Sequence, residues 1–268
     1  MVMQPLPLRD VRTGPSINRV TALATLNCPF YNKCNLFVLN LTTLHMTETE
    51  GVIKYQLQHS DCDLDQDIDI TEINAWRSIM HRLAVIGQSR DKYAGYGYGN
   101  ISQRLSGNSG QFLISGTQTG RPESLTRKDY CIIEHADLEA NEITSRGPCK
   151  PSSEALTHAA LYQRDPAIEN AIHGHCPEIW RQTAALALPH SAENVPYGTP
   201  EMAEAVQSLL QMHGFRQSGL FTMLGHEDGV MAFADTMPAA GREMIDCLAQ
   251  ALVIAQRCKA NYNSRFII

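Results

Sequence analysis

The sequence lacks the features that define several large classes of protein. No stretch reaches the roughly 18 consecutive apolar residues that suggest a membrane helix, the eight cysteines form no Cys-x-x-Cys pair, and there is no Gly-x-x-x-x-Gly-Lys-Ser/Thr phosphate loop. Basic residues number 22 against 28 acidic ones, a net charge of −6. We therefore expect neither a membrane protein nor a nucleic-acid binder. The scattered cysteines favour reduced thiols in a cytoplasmic protein.

What remains is a chain of ordinary globular composition whose N-terminal part differs from the rest. Its 268 residues, 43% of them hydrophobic, suffice to bury a sizeable core. Residues 1–45 contain several prolines, few acids and no long amphipathic period, which predicts an irregular extension that need not belong to the domain. A disordered tail, a basic targeting segment and sequence upstream of a later start all fit this composition. An acidic lead-in segment follows at 46–70, and the domain occupies 71–268.

From residue 71 onward, helical and strand patterns alternate. A helix is predicted over 71–87, with an apolar stripe that runs from Ile73 through Leu83 to Ile86. Three more helices and several short strands follow, among them ISQRL, QFLISG, ENAIHGH, GLFTMLGH and GVMAFA. This interleaving predicts one α/β domain in which helices cover a largely buried sheet.

The strongest chemical motif is His173-Gly174-His175 on one of these strands. Residues i and i+2 of a strand point to the same side, so the two imidazoles would converge. Histidine is a common zinc ligand, and a pair needs one or two further ligands. The candidate third ligand is His226, at the end of GLFTMLGH. Taken alone, the pair is equally well explained by chance or by ordinary hydrogen bonding.

Three groups of small residues are suited to holding an anion. Pro151-Ser152-Ser153-Glu154 begins a predicted helix, whose free N–H groups and positive end favour negative charge. Gly99-Asn100-Ile101-Ser102 and Ser115-Gly116-Thr117 are loops whose N–H groups can cradle phosphate oxygens. Each loop alone is also an ordinary turn, and Glu154 alone is also a favourable residue for the helix dipole.

Taken in order, these segments resemble the class II aldolase/adducin family, the zinc sugar-phosphate aldolase group that includes L-fuculose-1-phosphate aldolase. The resemblance covers roughly residues 72–258. It implies a single three-layer α/β/α domain around a mixed, mostly antiparallel sheet, commonly assembled as a homotetramer with sites at subunit boundaries. The matching segments are GNISQR (99–104), FLISGTQTGRPESLTRKDY (112–130), KPSSEALTHAALYQRDP (150–166) and AIHGH (171–175), and more loosely PYGTPEMAEAV (196–206) and MLGH (223–226).

The resemblance also implies roles for individual residues. One Zn²⁺ per subunit would be held by His173, His175 and His226, although manganese, iron or cobalt can bind the same donors. Glu154 would be the catalytic acid/base and an additional metal ligand before substrate displaces it. The substrate phosphate would be held by Asn100, Ser115, Gly116, Ser152 and Ser153.

These roles imply reversible aldol cleavage of a ketose 1-phosphate, similar to L-fuculose 1-phosphate, into dihydroxyacetone phosphate and an aldehyde. The metal would act as a Lewis acid for an enediolate while the carboxylate moves the proton. Dehydratases, decarboxylases and epimerases of the same family are alternatives, although Glu154 speaks against the ribulose-phosphate 4-epimerases, which tend to carry Asp at that place. A non-catalytic adducin-like binding module is disfavoured because all three histidines are kept.

The chain departs from the family pattern on both sides of the predicted site. The family commonly has glycine directly after the third histidine, where this sequence has Glu227. The stretch from His175 to Tyr197 is short and lacks the segment whose tyrosine protonates the aldehyde oxygen in fuculose-type aldolases. Tyr197 and Tyr262 are candidates for that second acid.

A separate hypothesis concerns calcium. Residues 61–72, DCDLDQDIDITE, carry acids at the spacing of an EF-hand loop. The position that needs glycine is Gln66, and the preceding segment makes a poor helix. The alternative is a solvated acidic segment whose carboxylates stabilise the N-terminus of the next helix.

Overall fold

The structure of the protein is a computed structural model that describes residues 51–105, 110–214 and 218–264, with side chains described up to residue 258. The predicted extension at 1–45 and the side chain of Tyr262 lie outside these residues. Within the described ranges, no helix has the length and apolar character needed to cross a membrane.

Eight strands form one mixed sheet, and two short strands pair beside it. The sheet order is β1-β7-β6-β5-β4-β8-β10-β9, with β1 parallel to β7 and the other neighbouring strands antiparallel. The strands are β1 (Gln56–Asp61), β2 (Gly87–Gln88), β3 (Gly97–Tyr98), β4 (Asn100–Arg104), β5 (Phe112–Ser115), β6 (Tyr130–Asp137), β7 (Glu142–Gly147), β8 (Asn170–His175), β9 (Ser218–Thr222) and β10 (Gly229–Ala234).

Helices cover both faces of the sheet, which confirms the predicted three-layer α/β/α architecture. The helices are α1 (Thr71–Arg82), α2 (Ala155–Arg164), α3 (Pro177–Trp180), α4 (Pro200–His213) and α5 (Met237–Ser264). One core lies between the sheet and α2 and α4, and a second lies between the sheet and α1, α3 and α5. Because both faces of the sheet are covered, β5, β8 and β10 are buried along their whole length rather than at alternate residues.

Helix α1 ends earlier than the apolar stripe predicts. Its last residue is Arg82, and Leu83 is 41% exposed instead of lying on the buried face. Ala84 adopts a left-handed conformation (φ 56°), and the amides of Val85 and Ile86 both donate to the carbonyl of Met80. Both bonds go to one carbonyl of the last helical turn and redirect the chain toward β2, so Ile86 reaches the core from outside the helix.

The acidic segment before α1 is partly built into the sheet. Gln56–Asp61, within the predicted lead-in, form β1 and pair in register with β7. In the loop that follows, the Arg127 guanidinium donates to the carbonyls of Leu64, Asp65 and Ile68. Arg146 hydrogen-bonds the Asp65 carboxylate and lowers its pKa. Arg146 thus occupies the carboxylate at the fifth position of the proposed calcium loop, and Arg127 places a second positive charge against its main chain. The EF-hand hypothesis therefore does not fit this segment.

Candidate metal centre

Strand β8 directs two imidazoles to one point, as the spacing of its histidines predicts. His173 and His175 are both fully buried, on a strand held between β4 and β10. Gly174, between them, faces the opposite side, where an added Cβ would lie 2.2 Å from Cγ1 of Val85. Only glycine permits this close approach, so the residue between the histidines is determined by packing on the far face.

His226 reaches the same point from the turn between β9 and β10. Its amide donates to Met223, and its carbonyl accepts from the amide of Gly229. The His226 Nε2 lies 2.9 Å from the Nε2 of His175. The three histidines offer nitrogen atoms that all lie within 4.8 Å of one another. The structure thus brings together the three residues that the sequence predicts as ligands.

Burial keeps the imidazoles of His173 and His175 in the form that a metal binds. It lowers the pKa of His173 and of His175 well below the ordinary value, and the neighbouring His226 lowers both further. Neutral imidazole is the metal-binding state. Neither ring nitrogen of His173 has a hydrogen-bond partner in the described part of the chain. Unpartnered buried nitrogens are costly, and a divalent cation among the three rings would satisfy them.

Glu154 lies at the edge of this cluster. It is the N-terminal flanking residue of α2 and is only 1% exposed. Its Oε1 lies 3.5 Å from Nδ1 of His226, and its Oε2 accepts a hydrogen bond from Oγ1 of Thr157 at 2.7 Å. Three nitrogens with a nearby carboxylate are a donor set that suits zinc and other divalent transition metals.

A small polar cavity opens next to the cluster. Four of the five predicted phosphate-holding residues line it: Asn100, Gly116, Ser152 and Ser153. Asn100 is the register partner of His173, and Ser153 precedes Glu154, so the cavity adjoins the histidines. The Oδ1 of Asn100 is buried without a hydrogen-bond partner among the described residues. The sequence motifs did not include two of the other lining residues, Gly51 and Gly97. The rest of the lining consists of Gly99 and residues 117–120.

Two of the predicted phosphate-holding residues have structural contacts that limit that role. Ser115 is not among the lining residues, and its Oγ accepts a hydrogen bond from the amide of Ile101. The amide of Gly116 donates to the carbonyl of Asp129, so it is already used within the fold. An added Cβ at Gly116 would lie 2.6 Å from Sγ of Cys149, which explains why the wall has glycine here.

Tyr197 and Lys54 form a second layer around His226. The ring of Tyr197 is fully buried, with its centroid 4.4 Å from that of His226. Lys54 donates from Nζ to the main-chain carbonyl of Tyr197, and its Nζ lies 3.7 Å from the ring centroid. Lys54 belongs to no motif and is brought here by the start of β1, which explains why the sequence did not reveal it. The role of Tyr197 as a second acid stays a prediction.

The loop that forms one wall of the cavity is held by a buried arginine. Arg77 of α1 is 1% exposed and donates to the carbonyls of Thr119, Pro122 and Glu123 at 2.6 to 2.8 Å. Burial lowers the pKa of its guanidinium. The planar group can serve several carbonyls at once, which a lysine cannot do as well.

We expect Arg77→Met to destabilise the protein by about 3 kcal/mol, because three carbonyls lose a charged donor. The measurement is the free energy of unfolding in urea. Arg82→Met is the matched control, since Arg82 lies on the same helix but forms an exposed ion pair with Glu123, and such pairs contribute little. Equal losses for the two variants would contradict the role assigned to Arg77.

Comparison with known proteins places this site in a family context. Residues 87–255 match the model described as the Class II Aldolase and Adducin N-terminal domain, a range that includes the three histidines and Glu154. L-fuculose 1-phosphate aldolase has a similar structure, with a TM-score of 0.50 and 17% identity over 72% of this chain and 89% of that chain. A sugar-phosphate aldolase from Thermotoga maritima has a TM-score of 0.50 and 16% identity over 70% of this chain and 94% of that chain. At these identities the likeness concerns the fold.

Curated relatives match a shorter stretch. Methylthioribulose-1-phosphate dehydratases from two strains of Xanthomonas oryzae pv. oryzae are 32% identical over 78 residues. This stretch is 29% of the present chain, and the chain spans about a third (31%) of the length of those relatives.

Proposed function

Because the chain belongs to the class II aldolase and adducin family, we propose that it is a metal-dependent lyase that cleaves a ketose 1-phosphate into dihydroxyacetone phosphate and an aldehyde. The observation that carries this proposal is the buried cluster of three histidines, with a carboxylate 3.5 Å from one of them and a polar cavity alongside. A binding module would not need to bury these groups together.

The residues present fit a divalent metal ion, for which we propose zinc. His173, His175 and His226 would hold it, with Glu154 as an additional ligand in the absence of substrate. When bound, such an ion would polarise the ketose carbonyl and stabilise the negative charge that develops on its oxygen.

The protein's own groups then divide the remaining work. Asn100, Ser152 and Ser153 would orient the substrate through its phosphate in the cavity. As the bond between C3 and C4 breaks, the C4 hydroxyl would pass its proton to the second acid/base group, for which Tyr197 is the candidate, and C4 would become the aldehyde carbon. Glu154 would deliver a proton to C3 of the three-carbon product, and both transfers would reverse in the synthesis direction. Thr157 holds the other carboxylate oxygen and so aims the reactive one. We further propose a homotetramer, as in the family.

Dehydration is the second candidate, and the 78-residue likeness to the methylthioribulose-1-phosphate dehydratases favours it. This reaction would use the same residues in a different order. Glu154 would remove the proton from C3, and the hydroxyl group of C4 would leave as water. The two reactions therefore differ in the bond that breaks at C4, not in the centre that activates the ketone.

The two candidates can be separated with two substrates. We expect the zinc-loaded protein to form dihydroxyacetone phosphate from L-fuculose 1-phosphate, detected by NADH-linked reduction. Incubation with methylthioribulose 1-phosphate would instead show loss of one water by mass spectrometry if the chain is a dehydratase. Protein that binds metal but transforms neither compound would exclude both of these substrates, and protein that binds no metal would favour the adducin-like alternative.

A further inference from the structure

The loop between β2 and β3 brings an additional aromatic side chain to the metal centre. The ring of Tyr93 lies edge-on to the imidazole of His175, with centroids 4.5 Å apart. Tyr98, on β3, packs against both: its centroid is 4.9 Å from that of Tyr93 and 5.5 Å from that of His175. One side of His175 is therefore covered by two tyrosine rings.

The hydroxyl of Tyr93 is tied to the turn that carries His226. It donates to Oδ2 of Asp228 at 2.8 Å. Burial, and next the hydrogen bond to Asp228, raise the pKa of Tyr93 well above its ordinary value, so the hydroxyl remains a donor. Asp228 is itself buried, and its carbonyl accepts from the amide of Cys176, the residue after His175. Tyr93 thus contacts the segments that carry two of the three histidines.

The backbone of this loop shows that its conformation is imposed by contacts. Tyr93 (φ 48°) and Ala94 (φ 54°) both adopt left-handed conformations, followed by Gly95 at φ 82°. Residues with a Cβ rarely adopt this conformation, and two in succession persist only where surrounding contacts hold them. Main-chain hydrogen bonds within the loop, from Gly95 to Lys92 and from Tyr96 to Tyr93, contribute to holding it. The Tyr93 side chain adds contacts with His175, Tyr98 and Asp228 that tie the loop to the metal centre.

We propose that Tyr93 is a positioning residue of the metal centre, which fixes the imidazole of His175 through its ring and the turn of His226 through its hydrogen bond to Asp228. This role depends on one part of the proposed function, namely that the three histidines hold a metal ion. It does not depend on whether the reaction is aldol cleavage or dehydration. Groups that orient metal ligands typically change metal affinity or activity by about 10- to 100-fold when they are removed. The same ring also shields one side of the centre from water.

Cobalt binding tests this role without reference to catalysis. We expect Tyr93→Phe, which keeps the ring and loses the hydroxyl, to bind Co²⁺ about 10-fold more weakly or worse and to shift the visible absorption bands that report on cobalt geometry. Asp228→Gly, which removes the acceptor and permits the left-handed backbone of this position (φ 61°), should have a similar effect. The double variant should be little worse than either single variant because both changes break one hydrogen bond. Tyr96→Phe is the matched control, since Tyr96 lies in the same loop and is 41% exposed.

The outcomes separate this inference from the proposed function. Wild-type protein that takes up neither Co²⁺ nor Zn²⁺ would overturn the metal centre and the role of Tyr93 together. Wild-type metal binding with unchanged affinity and spectrum in Tyr93→Phe would overturn the role of the Tyr93 hydroxyl. The same result in a folded Tyr93→Ala variant would overturn the role of its ring, and neither result would affect the metal centre itself. The metal-free variants could instead melt at a lower temperature while their cobalt spectra and cobalt affinity stay unaltered. That result would contradict the positioning role and would show that the hydrogen bond stabilises only the loop.

Discussion

Replacing His175 with alanine is expected to remove the bound metal ion and the activity together. His175 lies close to both other members of the cluster, with its Nε2 2.9 Å from that of His226 and its ring centroid 5.2 Å from that of His173. The change removes one direct nitrogen bond to the ion, so the two remaining histidines and Glu154 should hold it far more weakly. Because the metal supplies several kcal/mol of charge stabilisation, turnover should fall by a factor on the order of 1,000 or more.

Metal content by plasma mass spectrometry is the direct measurement. The wild type should contain about one zinc per chain, as expected for a single structural or catalytic site, and His175→Ala should contain almost none. The control is His135→Ala, since His135 is exposed on β6 and its loss should change neither quantity. Circular dichroism of both variants verifies that they are folded. Full metal content in a folded His175→Ala variant would refute the histidine cluster as the metal centre.

Replacing Glu154 with glutamine is expected to separate metal binding from proton transfer. Glutamine has nearly the same shape, and its carbonyl can still accept the hydrogen bond from Thr157. It cannot accept a proton, so turnover should fall by about 100- to 10,000-fold while most of the metal is retained. Loss of turnover with retained metal would identify Glu154 as the base. A residue that only binds the metal would lose metal when replaced, and one that only stabilises the start of the helix would leave turnover nearly unchanged.

Proton exchange measures this step without the cleavage reaction. Wild-type protein should exchange one hydroxymethyl hydrogen of dihydroxyacetone phosphate for deuterium in heavy water, observed by NMR, whereas Glu154→Gln should not. Glu201→Gln is the matched control, because Glu201 lies in the first turn of α4, as Glu154 lies at the start of α2, but is exposed. Normal exchange by Glu154→Gln would mean that another group is the base.

The sequence by itself determined the features that depend on local spacing and on the order of segments. The period of a strand places His173 and His175 on the same side of β8, and the structure shows this arrangement. The order of the motifs led to the family, and the match over residues 87–255 confirms it. The mixed, mostly antiparallel sheet with helices on both faces followed from that resemblance. The local signals were least reliable at element ends, as the termination of α1 at Arg82 shows.

Only the tertiary structure decided which distant residues surround the centre. The bond from Tyr93 to Asp228 joins positions 135 residues apart, and the bond from Lys54 to Tyr197 joins positions 143 apart. No motif contains both members of either pair, because a periodic pattern fixes only the directions in which side chains of one element point. Contacts between elements depend on how the sheet and helices pack, so the surroundings of the histidines could be found only after the chain was folded.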